Sequence, residues 1–243
     1  MLIRNHEVFE LPEAPINLWR YMDFTKLVSL FELHALVFPR TDQFDDPYEG
    51  LLPDAAVQEL RGGKVPGVLP EHIEQWVRAP QHLRKRLYVS CWCASEHESA
   101  AMWNLYLSGS QGVAIRTNTD LLAEALDACN FTVGMSLVKY IDYSTTTIPF
   151  GNMLFPVLHK RLSFSHEQEF RAVVWADITD NEPLIDKQAV YISVPVSPAQ
   201  LIRAIHVAPT SPPWFGGLIE QVTRRYGLSI PVVRSSLYDR PSY

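Results

Sequence analysis

Apolar positions along this chain fall into two spacings, and the change between them marks the elements. Phe24, Leu27, Val28, Leu30 and Phe31 recur at helical intervals, which predicts a short helix within Met22 to Phe31 with one buried face. Leu33 to Phe38 then reads as a strand closed by Pro39. Arg86 to Cys93, RLYVSCWC, alternates: Leu87, Val89, Cys91 and Cys93 share one face, and Tyr88, Ser90 and Trp92 share the other. Ser95 and Glu98 have the spacing of a capping box, N-cap and N3, opening a helix SAAMWNLYL that ends near Gly109. Further strands are predicted over Gly112 to Thr117, Thr132 to Tyr140, Glu169 to Trp175, Val190 to Val196, Ala204 to Val207 and Ile230 to Val233. A helix DLLAEALDA follows the first of these, and a late amphipathic helix runs from Pro212 to Tyr226, stopped by Gly227. Strands outnumber helices and do not alternate with them. The pattern predicts an α+β fold with a mostly antiparallel, split β-sheet flanked by helices.

The polar stretches RGGKVPGVLP (61–70) and Asp177 to Lys187 read as loops, and neither is long enough for a domain linker, so residues 1–243 are predicted to form a single domain. Composition narrows the class. Hydrophobic residues make up 47% of the 243, as in a packed globular protein. A net charge of -6 argues against general binding to nucleic acid or anionic membrane. The N-terminus lacks the apolar core of a secretory signal, and no apolar run approaches the ~18 residues of a membrane span. Three cysteines without disulfide-like spacing suggest reduced thiols and a cytoplasmic setting. Cys91 and Cys93 have no second Cys or His pair to complete a zinc site. No glycine-rich phosphate loop and no nucleophile elbow are present.

Candidate chemistry lies where polar residues adjoin aromatic ones. Arg20, in Leu18-Trp19-Arg20-Tyr21, offers a rigid fork of donors for a pyrophosphate or carboxylate; the plainer reading is a surface arginine covering a neighbouring ring. In FPRTDQFDDPYEG (38–50), Asp45 is expected to close an Asx turn, and Asp46 and Glu49 are carboxylates for a divalent cation without regular ligand spacing. Trp103, Met102 and Leu105 read as core. In SFSHEQEFRAVVW (163–175), Glu167, Glu169 and Arg171 project to one side and Phe170, Ala172 and Val174 to the other. Alone, Glu169 and Arg171 read as a surface ion pair worth ~0–1 kcal/mol. Val173 and Trp175 continue the same face, however, which places the charges at the mouth of something apolar. Lys160, Arg161 and His166 add polar groups nearby.

WRYMDF, FDDPYEG, SCWCASEHESAAMWNLY, GVAI, VKYIDY and HEQEFRAV together resemble the bacterial family called domain of unknown function 2971, whose name carries no activity. More distantly, the order of elements resembles ADP-ribosyltransferases. LWRYMDF is similar to their first strand with its Arg, YVSCWCAS to their central strand, and Glu167-Gln168-Glu169 to their E-x-E entry to a late strand. Two departures are Ser90-Cys91-Trp92 in place of Ser-Thr-Ser and the lack of a His-Gly-Thr. The resemblance implies NAD as substrate. It makes Glu169 the carboxylate that stabilises oxocarbenium character and holds the ribose 2′-hydroxyl, and Glu167 the group that orients or deprotonates the acceptor. Arg20 would grip the pyrophosphate, Ser90 would support Glu169, and Trp92 or Tyr21 would stack on nicotinamide. Arg171 would join the cofactor site or simply neutralise Glu169.

Three functions follow as expectations. The first is an ADP-ribosyltransferase-like enzyme or NAD glycohydrolase, a toxin or phage-defence effector acting on a protein or nucleic-acid acceptor. The second is a non-enzymatic module that senses a nucleotide or nucleic acid. The third is a metal-dependent nuclease using Asp46, Glu49 and Glu169.

Overall fold

A computed structural model describes residues 2–3, 6–106, 109, 111–176, 185–186, 188–241 and 243. The polar connection expected over 177–187 lies mostly outside them, as do residues 107, 108 and 110, where the helix expected to reach Gly109 would end. The chain begins with β1 (Leu2–Ile3), β2 (Asn17–Asp23), α1 (Phe24–Leu33) and β3 (Ala35–Pro39). Then come α2 (Asp54–Arg61), α3 (Ile73–Leu83), β4 (Leu87–Ala94), α4 (Ala100–Tyr106), β5 (Gly112–Asn118) and α5 (Thr119–Asp127). The second half contains β6 (Val133–Leu137), β7 (Lys139–Ile141), β8 (His159–Arg161), β9 (Glu169–Trp175) and β10 (Tyr191–Pro195). It closes with α6 (Pro198–Leu201), β11 (Ala204–Val207), α7 (Pro213–Arg225) and β12 (Val232–Arg234).

Local chemistry explains many boundaries. Asp23 caps α1 by accepting from Lys26 N at 2.8 Å, and His34 ends it in the left-handed region at φ 47. Gly227, at φ +72, stops the chain after α7. The capping box expected at Ser95 is corrected: Ser99 caps α4, its Oγ accepting from Met102 N at 3.3 Å. Ser95 is held instead by β2, its N donating to Asn17 O and its O accepting from Trp19 Nε1. The strand expected over Thr132 to Tyr140 is two strands, β6 and β7, in different sheets. Within β6, Gly134 lies beneath the Phe9 ring, where a Cβ would come within 2.0 Å of Phe9 Cζ.

The main sheet has eight strands in the order β1-β6-β9-β4-β2-β5-β11-β12. Only the outermost pairs, β1–β6 and β11–β12, are parallel; the rest are antiparallel. One face carries Leu18, Met22, Trp92, Phe170 and Val174 against Leu27 and Phe31 of α1, Leu122 and Leu126 of α5, and Phe215 of α7. The other carries Val89, Val173 and Trp175 against Val157 and Leu158, and Trp19, Tyr21 and Cys93 against Met102 and Trp103 of α4. Leu105, expected in the core, points out of α4 and is exposed. Two small sheets, β3–β10 and β7–β8, complete the strand pairings. No helix among the described residues is long and apolar enough to cross a membrane.

One irregularity positions the site. β2 pairs with β5 from Asn17↔Asn118 to Asp23↔Gly112, and β4 with β9 from Leu87↔Trp175 to Cys93↔Glu169. Yet β2 meets β4 only at Leu18↔Ala94 and Trp19↔Cys93. Past Trp19 the ladder stops, and side chains and main-chain edges of the two strands border open space.

Candidate active site

A cavity of about 410 Å³ opens at that point. β2 contributes Trp19, Arg20 and Tyr21; β4 contributes Cys91, Trp92 and Cys93; Glu167 and Glu169 close one side. Leu36 and Val37 of β3, with Met102 and Tyr106 of α4, complete much of the remaining wall.

Glu167, Glu169 and Arg171 form no surface ion pair, for their exposures are 8%, 5% and 0%. β9 begins at Glu169. Gln168 before it sits at φ 44, and this turn brings Glu167, from the preceding 3₁₀ segment, beside Glu169. Lys160 of β8 joins the two: its Nζ donates to Glu169 Oε1 at 2.7 Å and also meets Glu167 Oε2. Arg171 Nε donates to Glu169 Oε2 at 2.7 Å and Nη2 to Oε1 at 3.1 Å. The rest of that guanidinium faces Glu49, with Nη1 to Oε1 at 2.5 Å and Nη2 to Oε2 at 3.1 Å, and Nη1 also reaches Val157 O at 2.6 Å. Every Arg171 donor is therefore engaged by protein, and Arg171 does not line the cavity. Its expected place in a cofactor site is corrected to that of a counter-charge beneath Glu169.

The electrostatics follow from these contacts. Burial alone would raise the Glu169 carboxyl, but Arg171 and Lys160 hold it well below the usual carboxylate range. Burial and the adjacent Glu169 push Glu167 up to about 7. Lys160 is disfavoured as a cation by burial, yet the two carboxylates raise it above its ordinary value. Burial, reinforced by Glu169, lifts the Cys91 thiol well above normal, so near neutrality it is not a thiolate nucleophile.

Arg20 lies elsewhere by alternation. Trp19, Cys93 and Glu169 are register partners on one face, so Arg20 belongs with Leu18 and Met22 on the other. Where the β2–β4 ladder ends, its guanidinium crosses to β4: Nη1 donates to Ser90 Oγ at 2.6 Å and Nη2 to Val37 O at 3.0 Å. It also lies 5.6 Å from the Trp92 ring centroid. Arg20 and Glu169 thus border one cavity from opposite strand faces. Among the described residues Arg20 has no acidic partner; both its acceptors are neutral. The expected support of Glu169 by Ser90 is corrected. Ser90 pairs with Ala172, is fully buried, and its Oγ accepts from Arg20 and from Trp92 Nε1 at 3.1 Å. Trp92 and Tyr21 both line the cavity, and Tyr21 is fixed by an edge contact with Trp103 at 4.9 Å and by Ser99 N donating to its hydroxyl at 2.7 Å.

The acidic turn supports the site rather than forming one. Asp46, not Asp45, closes the Asx turn, accepting from Tyr48 N at 3.0 Å, and Arg161 Nη2 reaches the same oxygen at 2.6 Å. Arg161 secures Asp46, Arg171 secures Glu49, and Lys160 with Arg171 secures Glu169. The three carboxylates are taken up by side-chain cations, and among the described residues they do not gather into a group that could hold a metal ion, which corrects the expected nuclease site. Sequence reasoning missed Lys160 as a partner and Glu49 as the second anchor of Arg171. The only local signal was Lys160-Arg161 lying shortly before two glutamates.

No family model matches the chain, so the resemblance to domain of unknown function 2971 gains no support there, and no curated protein matches. Among solved structures the chain is similar to Thermus sp. 2.9 DarT in complex with NAD+, at 10% identity over 92% of this chain and 96% of that one, TM-score 0.43. The same protein in complex with ADP-ribosylated ssDNA aligns at 11% identity over 93% and 96%, TM-score 0.43.

Proposed function

We propose that this chain is an NAD+-using, ADP-ribosyltransferase-like enzyme acting as one domain. The observation that carries the reading is one cavity bordered by a cation without an acidic partner among the described residues, Arg20, and by a carboxylate held ionised, Glu169. A pyrophosphate bound at Arg20 lets an attached ribose extend toward Glu169 through the gap between β2 and β4, which in this reading is the split of the sheet. The C1′–nitrogen bond breaks and its electron pair leaves with nicotinamide. Glu169 stabilises the positive charge developing on the ribose. An acceptor hydroxyl or ring nitrogen forms the new bond to C1′, and its proton passes to Glu167. Water as acceptor makes the reaction a glycohydrolase. Arg171 and Ser90 act behind the site, on Glu169 and Arg20. An intracellular toxin or phage-defence effector is the role this chemistry suits.

Nicotinamide release by the purified chain, alone and with single-stranded DNA, RNA or protein as acceptor, tests the reading; no release under any condition overturns it. Arg20→Ala is expected to weaken ADP-ribose binding on the order of 10- to 100-fold by calorimetry, the loss of charge-assisted bonds to phosphate. The rate is expected to rise with pH through about 7, because a base must be deprotonated to accept the proton and Glu167 titrates there. Glu167→Gln should abolish that limb of the profile.

The engagement of both Glu169 oxygens by Arg171 and Lys160 favours a second reading, a sensing module in which the same ion pairs are structural. Tight binding of NAD+, ADP-ribose or short RNA without turnover would select it.

A further inference from the structure

Below the cavity, two cations share three carboxylates. Arg171 is bonded to Glu49 and Glu169, and Lys160 to Glu169 and Glu167. All five side chains are buried, and in a medium of low dielectric such a cluster retains a proton instead of carrying its excess charge. The geometry says which acid keeps it. Glu169 accepts three contacts from Lys160 and Arg171 through both oxygens, whereas among the described residues Glu167 meets one cation, Lys160. The other titratable groups facing the pair are Cys91 and Cys93 of β4, Tyr106 of α4 and Tyr140 of β7. Burial raises all four, so near pH 7 they are neutral and supply no counter-charge.

We propose that Lys160 is a positioning residue that clamps Glu167 against Glu169 and leaves Glu167, once it has released its own proton, as the member of the pair that takes a proton from an acceptor. The inference rests on the reading of Glu167 as the base, but its structural content does not depend on catalysis. Removing the ammonium leaves one cation among three carboxylates, so Glu167 must hold its proton to higher pH. Glu169 loses one of its three donors.

The experiment is a titration of the glutamate side-chain carboxyls by carbon NMR in the full chain, with Glu167→Gln and Glu169→Gln assigning the signals. Lys160→Met and Lys160→Gln are both expected to raise the Glu167 midpoint by about one pH unit or more, and Lys160→Arg, which keeps the charge, to leave it near the wild-type value. In turnover assays the acid limb of the pH–rate profile should move up with the midpoint in the first two variants only. A lysine that braced the fold without acting on the Glu167 charge would change stability or overall rate without moving either quantity. Superimposable titrations of wild type and either neutral variant overturn the proposal, as does an Arg variant displaced as far as the neutral ones. Should wild type release no nicotinamide, the enzymatic reading fails while the titration still decides the role of Lys160.

Discussion

Glu169→Gln is expected to lower NAD+ turnover by ~10²- to 10³-fold, the scale of losing one preorganised electrostatic group at a reacting centre. The substitution keeps the shape of the side chain and one carbonyl acceptor. It removes the charge that Arg171 and Lys160 hold ionised at the cavity wall. Binding of ADP-ribose should change much less, because the group proposed to hold the phosphates is Arg20, on the opposite strand face. Separate measurements of kcat and of ligand affinity check this. Equal turnover by wild type and variant would remove Glu169 from the chemistry. Equal losses of turnover and affinity would point to a collapsed cavity instead.

Arg171→Met is expected to destabilise the fold by ~3–5 kcal/mol, the cost of breaking a buried ion pair from one side. Glu49 and Glu169 would be left with two charges and only Lys160 near one of them, at buried positions. For a chain of this size the loss corresponds to a fall in Tm on the order of 6–20 °C. The sign of the pH dependence follows from the depressed Glu169 carboxyl: its pairing contributes stability at neutral pH that disappears as pH falls through the folded value. The difference between wild type and Arg171→Met should therefore shrink in acid. Thermal melts at pH 8 and at about pH 3, below the ordinary carboxylate range, measure it, and adding Glu49→Gln to the variant should restore part of the loss by deleting one of the unpaired charges. A melting temperature within a degree or two of wild type at pH 8 would show that the pairs contribute nothing net.

Much of this architecture was legible from spacing. Alternation in RLYVSCWC and EFRAVVW placed each side chain on its observed face, and Val173 and Trp175 correctly signalled that the charged face is buried. Caps and breakers located α1, β3 and α7 to within a few residues. Those are interactions among neighbours a few positions apart, and the chain order contains them. α2 and α3 escaped notice because their burial is slight, α3 burying only Pro80 among its eleven residues, and because that proline reads as a helix breaker although it lies inside α3. Ser95 and Ser99 both carry a capping hydroxyl, and what separates them is a long-range contact, Ser95 bonding to β2 across the sheet.

The candidate site divides along the same line. Glu167, Glu169 and Arg20 are recognisable from their residue types and from the strand each enters, because a charge on an otherwise apolar alternating segment is costly and stands out. Which cation meets which carboxylate was not recognisable. Arg171 reaches Glu49 across 122 positions of sequence, and Arg20 reaches Ser90 across 70. A charge pattern states a need for partners without naming them, since Coulomb attraction has no sequence register; the partner is whichever opposite charge the strands carry into reach. Here that depended on a β2–β4 ladder that ends after two pairs, and on a turn at Gln168 that swings Glu167 over Lys160.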